Sequence, residues 1–442
     1  MQSKAESAGL SRSLNIFEVS LGGMGMILGA GIYALLGPAT AEAGNGLWVS
    51  FVLAATLAGV IGLCYAELAS TYPVAAADYE YALQAYGRRP AFIVGSTMAV
   101  GNIIAAASVA VAFASYFTEF VSLPRALVAL VALLTATLIA SAGIKESVRL
   151  ASVATLIEVG GLVFVIVVGV PSLPSLDAFN FNGGELGILA GASLVMFAFN
   201  GFSQIATLAE ETNSSEVVPK AMLVAIVATT ILYVLVALSA LAVLGASRLA
   251  MADAPLADVA TKAIGDRAGQ ALALIALFST ANTMLLHLIV GSRLMYGMAR
   301  KRALPGALAQ IHPRLRTPLW AIAVCFVLGS VFAATGEIDF VAGATSFAIF
   351  VGFASVCCSV VVLRRSRPEI PRPFRVPVSL RGVPLLPIGG LLLTVCLLLN
   401  LEERVLFVGA VMLAAGAIGA LLQSTSVEVP EDSGDHIGGS PL

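Results

Sequence analysis

Charged side chains are scarce in this chain of 442 residues. Asp, Glu, Lys and Arg together make up 11% of it, whereas soluble domains carry about 25%. A soluble protein with so few charges could not cover its surface with polar groups, so an ordinary soluble domain is excluded. The formal net charge of −2 also gives no indication of nucleic-acid binding.

The sequence also lacks the residue clusters that carry chemistry. Its three histidines, His287, His312 and His436, show no metal-ligand spacing with its five cysteines. The cysteines lie in or beside apolar runs, where buried small hydrophobic side chains are expected rather than disulfides. Because no nucleophile and base are paired either, we predict no enzyme activity, no metal site and no cofactor.

Long apolar runs are abundant instead. A helix needs about 20 apolar residues to cross the roughly 30 Å of hydrocarbon in a bilayer. About twelve such runs alternate with polar breaks, so we predict an all-α membrane protein with about twelve transmembrane helices. The predicted spans, numbered 1 to 12, cover residues 16–37, 46–70, 90–120, 124–142, 150–170, 187–209, 219–245, 270–299, 317–336, 338–363, 383–400 and 404–423.

Positive charges predict how the chain is oriented in the membrane. If the N-terminus is cytoplasmic, all but five of the 24 Lys and Arg residues fall on the cytoplasmic side. Because Lys and Arg are retained in cytoplasmic loops during insertion, we predict a multi-pass protein of the cell inner (plasma) membrane. Both termini are then cytoplasmic, and the spans contact membrane lipids. The five exceptions are Arg125, Arg248, Lys262, Arg267 and Arg404.

Spans 1 and 6 contain residues that disfavour a regular helix. Span 1 reads GGMGMILGAGIYALLG, and span 6 has the pair Asn200-Gly201 at its middle. Glycine costs about 1 kcal/mol in a helix interior, and Asn-Gly favours non-helical backbone. Close helix packing is one explanation. Two interrupted spans in corresponding halves point instead to a binding site, so we predict breaks within residues 28–31 and 197–201.

Several sequence motifs follow one another in a fixed order. Span 1 contains LGAGIY, and span 6 contains FAFNGF. The others are YAELASTYP at the end of span 2, YEYALQAYG after it, AEETNSSEVVPKAM after span 6, LFSTANTMLL and SRLMYGMARKRALP in span 8 and at its end, and LRRSRPEIPRPFRVP after span 10. With these motifs in this order, from about Leu14 to Pro377, the sequence resembles the amino acid–polyamine–organocation (APC) superfamily.

The resemblance implies a LeuT-like fold, in which two five-span inverted repeats open with broken spans 1 and 6. It implies alternating access, with spans 1, 2, 6 and 7 rocking against spans 3, 4, 8 and 9. It also implies amino acids or their decarboxylated amines as substrates, moved by proton symport or by exchange. We expect a monomer or homodimer. The predicted domains are a cytoplasmic N-terminal segment (1–15), a first repeat (16–170), a second repeat (187–363), two additional spans (383–423) and a disordered tail (424–442).

A broken helix can bind both charged groups of an amino acid. Free N–H groups at the start of the second half of span 1 would bind the carboxylate. The ammonium would donate to free carbonyls at the breaks, those of Ile27 and Leu28 in span 1 and of Phe197, Ala198 and Asn200 in span 6. The resemblance also gives Phe197 the role of a gate that closes over the substrate, and Asn102 in span 3 could touch the substrate side chain. The predicted substrate-binding residues are Ile27, Leu28, Gly29, Ala30, Gly31, Ile32, Phe197, Ala198, Phe199, Asn200 and Gly201.

Among these residues, Ala30 departs from the family pattern. Many members of the superfamily carry a serine at this position, whose hydroxyl could assist in binding a carboxylate. In this chain carboxylate binding would depend on the backbone donors of Ala30, Gly31 and Ile32 alone. Selection for a carboxylate is therefore less strongly implied here than in those members.

Glu158 is the most informative single residue. It lies in the middle of span 5 with no basic residue in that span, so it is expected to face the protein interior and to be functional. The resemblance places it at, or one residue from, a position often occupied by lysine, where sodium-coupled relatives bind sodium. A protonated Glu158 could donate to a span 1 carbonyl or a span 8 hydroxyl. A neutral buried glutamate without a coupling role is the alternative.

Span 8 supplies groups that could face Glu158. Thr280, Thr283 and His287 are spaced for one helical face, and His287 could extend a proton path from Glu158. A hydrogen-bonded structural histidine is the alternative. The predicted coupling residues are Glu158, Thr280, Thr283 and His287.

The predicted function is secondary active transport of amino acids by alternating access, as proton-coupled symport through Glu158. An amino acid/polyamine exchanger and a sodium-coupled transporter are alternatives, in which an ionised Glu158 would attract a cationic substrate or a sodium ion. A non-transporting sensor on the same fold is a third. Because loops and tails are short and no soluble module is evident, the sequence favours a transporter.

Overall fold

Helices make up most of the described residues, as predicted from the apolar runs. The computed structural model describes residues 15–72, 77–118, 120–142, 147–181, 183–206, 212, 214, 216–315, 317–335, 337–380 and 382–422. The predicted N-terminal segment (1–15), apart from Asn15, and the predicted disordered tail (424–442) lie outside these residues. The division into two repeats stays a prediction, whereas the all-α membrane fold is confirmed.

The bounds of the elements follow the chain order. The α-helices within the described residues are α1 Ile16–Ile27, α2 Ala30–Ala43, α3 Leu47–Thr71, α4 Ala77–Tyr86, α5 Arg88–Phe117, α6 Arg125–Ala142, α7 Ser147–Gly169, α8 Gly184–Phe199, α9 Phe202–Ile205, α10 Val217–Leu244, α11 Ala246–Ala250, α12 Pro255–Ile264, α13 Asp266–Arg300, α14 Leu319–Ala333, α15 Ile338–Ser366, α16 Leu385–Leu399 and α17 Glu403–Leu422. A short antiparallel pair joins β1 (Ser379–Leu380) to β2 (Val383–Pro384).

Each predicted span has a counterpart among the described helices. Nine described stretches are long and apolar enough to cross a membrane, and α1, α14 and α16 are shorter apolar helices. One of the nine, Ala30–Thr71, holds the second half of span 1 and all of span 2. Span 1 is longer than predicted because α2 continues through Pro38 to Ala43 and stops before Gly44, whose φ is 55°.

Three short helices between the spans were not predicted. They are α4, α11 and α12, of 10, 5 and 10 residues. Helix α12 begins with Pro255 in its first turn and ends before Gly265, whose φ is 114°, so both ends carry ordinary helix signals. A search for runs of about 20 apolar residues passes over such amphipathic elements.

One end of the bundle carries Arg88, Lys301 and Arg364 and is called the basic end here. There α4 packs between α5 and α15. Lys301 Nζ donates to Glu80 of α4. A second contact runs through Gln84, whose amide donates to Glu80 Oε1 at 2.9 Å and accepts from Arg367 at 2.8 Å. Helix α4 therefore connects the end of α13 to the segment that follows α15.

The basic end also contains a buried ion-pair cluster, which we call the Glu67 clamp (Glu67, Arg364, Arg372 and Val376). Glu67 of α3 is 1% exposed. It accepts from Arg364 Nε at 2.8 Å, from a second nitrogen of the same guanidinium and from the Val376 N–H at 2.7 Å. Arg372 Nε lies 3.6 Å from the same carboxylate. The clamp fixes the segment after α15 against the end of α3.

Candidate functional site

The first helix break separates α1 from α2. Helix α1 ends at Ile27, and Gly29 turns the chain with ψ of −152° before α2 begins at Ala30. The Ala30 N–H donates to Thr283 Oγ1 of α13 at 3.0 Å, so this predicted donor has a partner in this conformation. Gly31 and Ile32 follow in the first turn, where N–H groups lack a partner inside the helix, and none is found for them among the described residues.

The second break separates α8 from α9 and is milder. Asn200 and Gly201 keep helical dihedral angles, but the hydrogen bonds shorten to three-residue spacing. Asn200 N donates to Phe197 O at 3.1 Å, and Gln204 N donates to Gly201 O at 3.1 Å. Both breaks thus lie inside the windows predicted from the sequence.

The two breaks are in direct backbone contact. A Cβ atom added at Gly201 would overlap the carbonyl oxygen of Met26 and lie 2.7 Å from the backbone nitrogen of Ile27. One added at Gly31 would lie 2.6 Å from Ala198 Cβ and 3.1 Å from Ala198 N. Glycine is required at both positions because any side chain would separate α1 and α2 from α8 and α9.

Tyr233 of α10 joins the two breaks through its hydroxyl. The hydroxyl donates to Ile27 O at 2.9 Å, with Ala198 O at 3.3 Å as a second acceptor. Both carbonyls were predicted to receive the ammonium of a substrate, and each oxygen retains a second lone pair. Tyr233 was not predicted as a site residue, and its only sequence signal is a tyrosine in the middle of apolar span 7.

A small cavity lies at the breaks. Its volume is about 20 Å³, roughly the room for one water molecule, so the site is nearly closed in this conformation. Leu28, Ile32 and Phe199, although predicted, do not line it, and Phe199 instead packs edge-on against Phe51 and Tyr233. The lining residues are Gly25, Met26, Ile27, Gly29, Ala30, Gly31, Phe197, Ala198, Asn200, Gly201, Gln204, Thr283, Leu286 and His287.

Phe197 and His287 form one wall of this cavity. Their rings stack with centroids 6.0 Å apart and planes 27° apart. His287 Nδ1 lies 3.2 Å from Asn102 Oδ1 of α5. Asn102 is the side-chain partner of His287 within the described structure, so the predicted proton path from Glu158 to His287 stays a prediction. The gate role of Phe197 does so too.

Glu158 lies outside the cavity, on α7. It is 1% exposed, and neither carboxyl oxygen has a hydrogen-bond or ion-pair partner among the residues the structure describes. Ser279 of α13 is a polar side chain beside it, and the Ser279 hydroxyl is likewise without a hydrogen-bond partner among the described residues. The carboxyl group is therefore buried without a compensating charge among the described residues.

The helices packed against α7 include α1 of span 1 and α13 of span 8. Span 1 approaches α7 where a Cβ added at Gly25 would lie 3.2 Å from Thr155 Cβ. On α13 the predicted Thr280 donates to its own helix, at 2.7 Å to Ala276 O, whereas Thr283 bonds Ala30. Ser279, one residue before Thr280, faces Glu158 instead. The sequence prediction missed Ser279 because its register for span 8 differed by one residue.

Removing the Tyr233 hydroxyl should have a measurable cost. We expect Tyr233→Phe to lower the free energy of unfolding by about 1 kcal/mol, because two buried carbonyls lose a hydrogen bond. Tyr81→Phe is a matched control, since the buried Tyr81 hydroxyl has no partner within the described part of the chain. Unfolding in mixed micelles would measure both, and equal losses would show that the Tyr233 bond does not stabilise the breaks.

A helical membrane protein whose two broken spans meet at a buried cavity has the architecture of a secondary transporter. The amino acid permease family matches residues 14–422, and the chain belongs to this family. The branched-chain amino acid permease BcaP of Bacillus subtilis is 31% identical over 89% of this chain and 88% of its own length. The methylthioribose transporter of the same species is 29% identical over 88% of each chain.

A plant relative extends the comparison. The vacuolar cationic amino acid transporter 4 of Arabidopsis thaliana is 29% identical over 81% of this chain and 64% of its own length. These relatives are named as permeases and transporters, which agrees with the prediction that the chain is not an enzyme. The protein is therefore a multi-pass membrane protein of an amino acid transport family.

Proposed function

We propose that this protein is a secondary active transporter that moves an amino acid by alternating access, as a proton symporter in the plasma membrane. The family and the names of its relatives support amino acids as the substrate class. Both termini would be cytoplasmic, which follows from the distribution of Lys and Arg. The basic end would then face the cytoplasm.

The substrate would bind at the helix breaks. The unpartnered N–H groups of Gly31 and Ile32 suit a carboxylate at the start of α2. The carbonyls of Ile27 and Ala198 each keep a lone pair that could accept from an ammonium besides the Tyr233 hydroxyl. Because Ala30 has no hydroxyl and its N–H bonds Thr283, the carboxylate would depend on two backbone donors unless Thr283 moves.

The observation that carries the coupling proposal is the buried, unpartnered Glu158. An ionised carboxylate without a partner in a low-dielectric interior costs several kcal/mol. The carboxyl group is therefore expected to be protonated whenever the protein has this conformation. An approach of water or of a cation would then allow the proton to leave at another stage of the cycle.

The position of Glu158 would connect its protonation to the substrate site. Thr155, one helical turn earlier, packs at Gly25 of span 1, and Gly25 also lines the cavity. Ser279, which faces Glu158, accepts the Thr283 hydroxyl at its carbonyl at 3.0 Å, and Thr283 in turn holds the Ala30 N–H. A structural change around Glu158 would thus be transmitted through Ser279 and Thr283 to the Ala30 N–H, the first donor of the substrate site.

Uptake into proteoliposomes tests this proposal. We expect wild-type protein to accumulate amino acids in response to an inward proton gradient without sodium. Glu158→Gln, which mimics the protonated form, should lose the response to the gradient and retain exchange of substrate for substrate. Glu185→Gln, at the exposed start of α8, is the control and should behave as wild type.

Each other result favours a different function. Full gradient response in Glu158→Gln would exclude the proton role of this residue. A sodium requirement, together with loss of substrate binding in Glu158→Gln, would favour sodium coupling. Gradient-independent exchange by wild-type protein would favour an exchanger, and absence of both uptake and exchange for every amino acid would favour a sensor.

A further inference from the structure

His287 is a polar side chain at the cavity that is not needed to bind the carboxylate or the ammonium of an amino acid. It lies on the α13 side of the cavity and is 6% exposed. Its ring is fixed on one face by Phe197 and at Nδ1 by Asn102. A polar ring that is so nearly buried and still lines the cavity can contact a bound ligand directly.

The hydrogen bonds around Asn102 determine where the imidazole hydrogen lies. The carbonyl of Met98 can only accept, so the Asn102 atom 2.9 Å away must be the donating Nδ2. The other amide atom is then Oδ1, which can only accept. His287 Nδ1, 3.2 Å from Oδ1, must therefore be the donor and carry the hydrogen.

This arrangement leaves Nε2 of His287 as an acceptor. In a neutral imidazole with hydrogen on Nδ1, Nε2 carries a lone pair. No described residue donates to Nε2, and Nε2 is not among the fully enclosed polar atoms that lack a partner. The lone pair is therefore left for a group in the cavity.

Asn102 is held firmly enough to maintain this tautomer. It is 9% exposed, and a Cβ at Gly291 of α13 would already lie 3.3 Å from Asn102 Cβ. The α5 and α13 backbones thus approach closely beside the pair, and the bond from Nδ2 to Met98 O fixes the orientation of the amide. Asn102 is a positioning residue that acts through His287.

The charge of the cavity limits which substrates fit. None of the described residues lining it carries a formal charge, so a cationic side chain would find no carboxylate and an anionic one no basic residue. Burying either charge unpaired costs several kcal/mol. An aliphatic side chain would leave Nε2 without a donor, which also has a cost.

We propose that Nε2 of His287 accepts a hydrogen bond from a neutral donor on the substrate side chain, a hydroxyl or a carboxamide. The site would then select polar uncharged amino acids such as threonine, serine, asparagine or glutamine over their aliphatic isosteres. This proposal rests on the proposed function and specifies its substrate class. It also separates this chain from a relative that is named for branched-chain substrates.

Threonine and valine form a sharp pair for the test, because they have nearly the same shape and differ in one hydroxyl. We expect threonine to compete for uptake about tenfold or more better than valine in the wild-type protein, since a site built around a hydroxyl rejects the analogue without it. His287→Phe keeps an aromatic ring on Phe197 but removes the acceptor, and the threonine-to-valine ratio should fall to about one. His312→Phe, outside the cavity, should leave the ratio unchanged.

Asn102→Leu tests the positioning role. Without the Oδ1 acceptor, the imidazole hydrogen can move to Nε2, so the threonine preference should fall while valine uptake continues. Continued valine uptake also shows that the variant folds. An unchanged ratio in this variant and in His287→Phe would overturn the proposal.

The wild-type measurement is decisive even if both variants fail to fold. Equal or better competition by valine or leucine than by threonine would overturn the side-chain proposal and leave amino acid transport intact. If no amino acid competes or is taken up, the proposed function itself fails. The two failures are therefore distinguishable in one experiment.

Discussion

Gly201→Ala is expected to abolish substrate uptake while leaving the protein inserted in the membrane. The added methyl group would overlap the carbonyl oxygen of Met26 and approach the nitrogen of Ile27 at 2.7 Å. Backbone atoms cannot move away as a flexible side chain can, so the two broken helices must separate. Gly31→Ala should have the same effect from the other side, because Ala198 Cβ lies 2.6 Å from the added atom.

The loss of uptake should be specific to glycines at the breaks. Gly59→Ala in α3 and Gly160→Ala in α7 are controls, since no described atom lies within 4 Å of a Cβ at either position. We expect both controls to transport normally and to be as stable as wild type or more so, because alanine favours a helix. Membrane yield and liposome uptake measure the contrast. Normal uptake by Gly201→Ala would show that contact between the breaks is not needed for transport.

Glu67→Gln is expected to destabilise the protein by about 3–5 kcal/mol, because it leaves buried cations without their carboxylate. The side chains of Arg364 and Arg372 are 4% and 7% exposed, so water cannot replace the lost partner. Glu337→Gln removes one partner of the exposed ion pair with Arg404 and should cost less than about 1 kcal/mol. Unfolding of each purified variant in mixed micelles would give the comparison.

A double substitution separates the ion pair from the burial of its members. Glu67→Leu combined with Arg364→Met removes one positive and one negative charge together. We expect the double substitution to lower the free energy of unfolding by less than the sum of the two single substitutions. The reason is that an unpaired buried charge causes most of the loss in each single variant. Additive losses would indicate that Glu67 and Arg364 do not interact in the folded protein.

The sequence predicted the spans and both helix breaks well, for identifiable reasons. The bilayer sets the length and the low charge of each span, and both are evident from the local sequence without knowledge of any contact between spans. The breaks were visible because glycine and Asn200-Gly201 act on the backbone locally. Glu158 was visible because a lone carboxylate in an apolar span has few explanations.

The pairing of residues between spans could not be predicted in the same way. Ala30 and Thr283 were assigned to separate roles, yet the backbone of one bonds the hydroxyl of the other. Ser279 rather than Thr280 faces Glu158. Such details depend on the rotation of one helix against another, and a turn of about 100° per residue makes a shift of one position decisive.

The Tyr233 hydroxyl has a consequence for how a substrate would be carried. It bonds the carbonyls of both Ile27 and Ala198. Helices α1, α8 and α10 should therefore move as one body that binds the backbone groups of an amino acid. Asn102 and His287 belong to α5 and α13, which the resemblance assigns to the opposite body. A bound amino acid would then act as a spacer between two moving parts, and only a side chain of the right length would let them close.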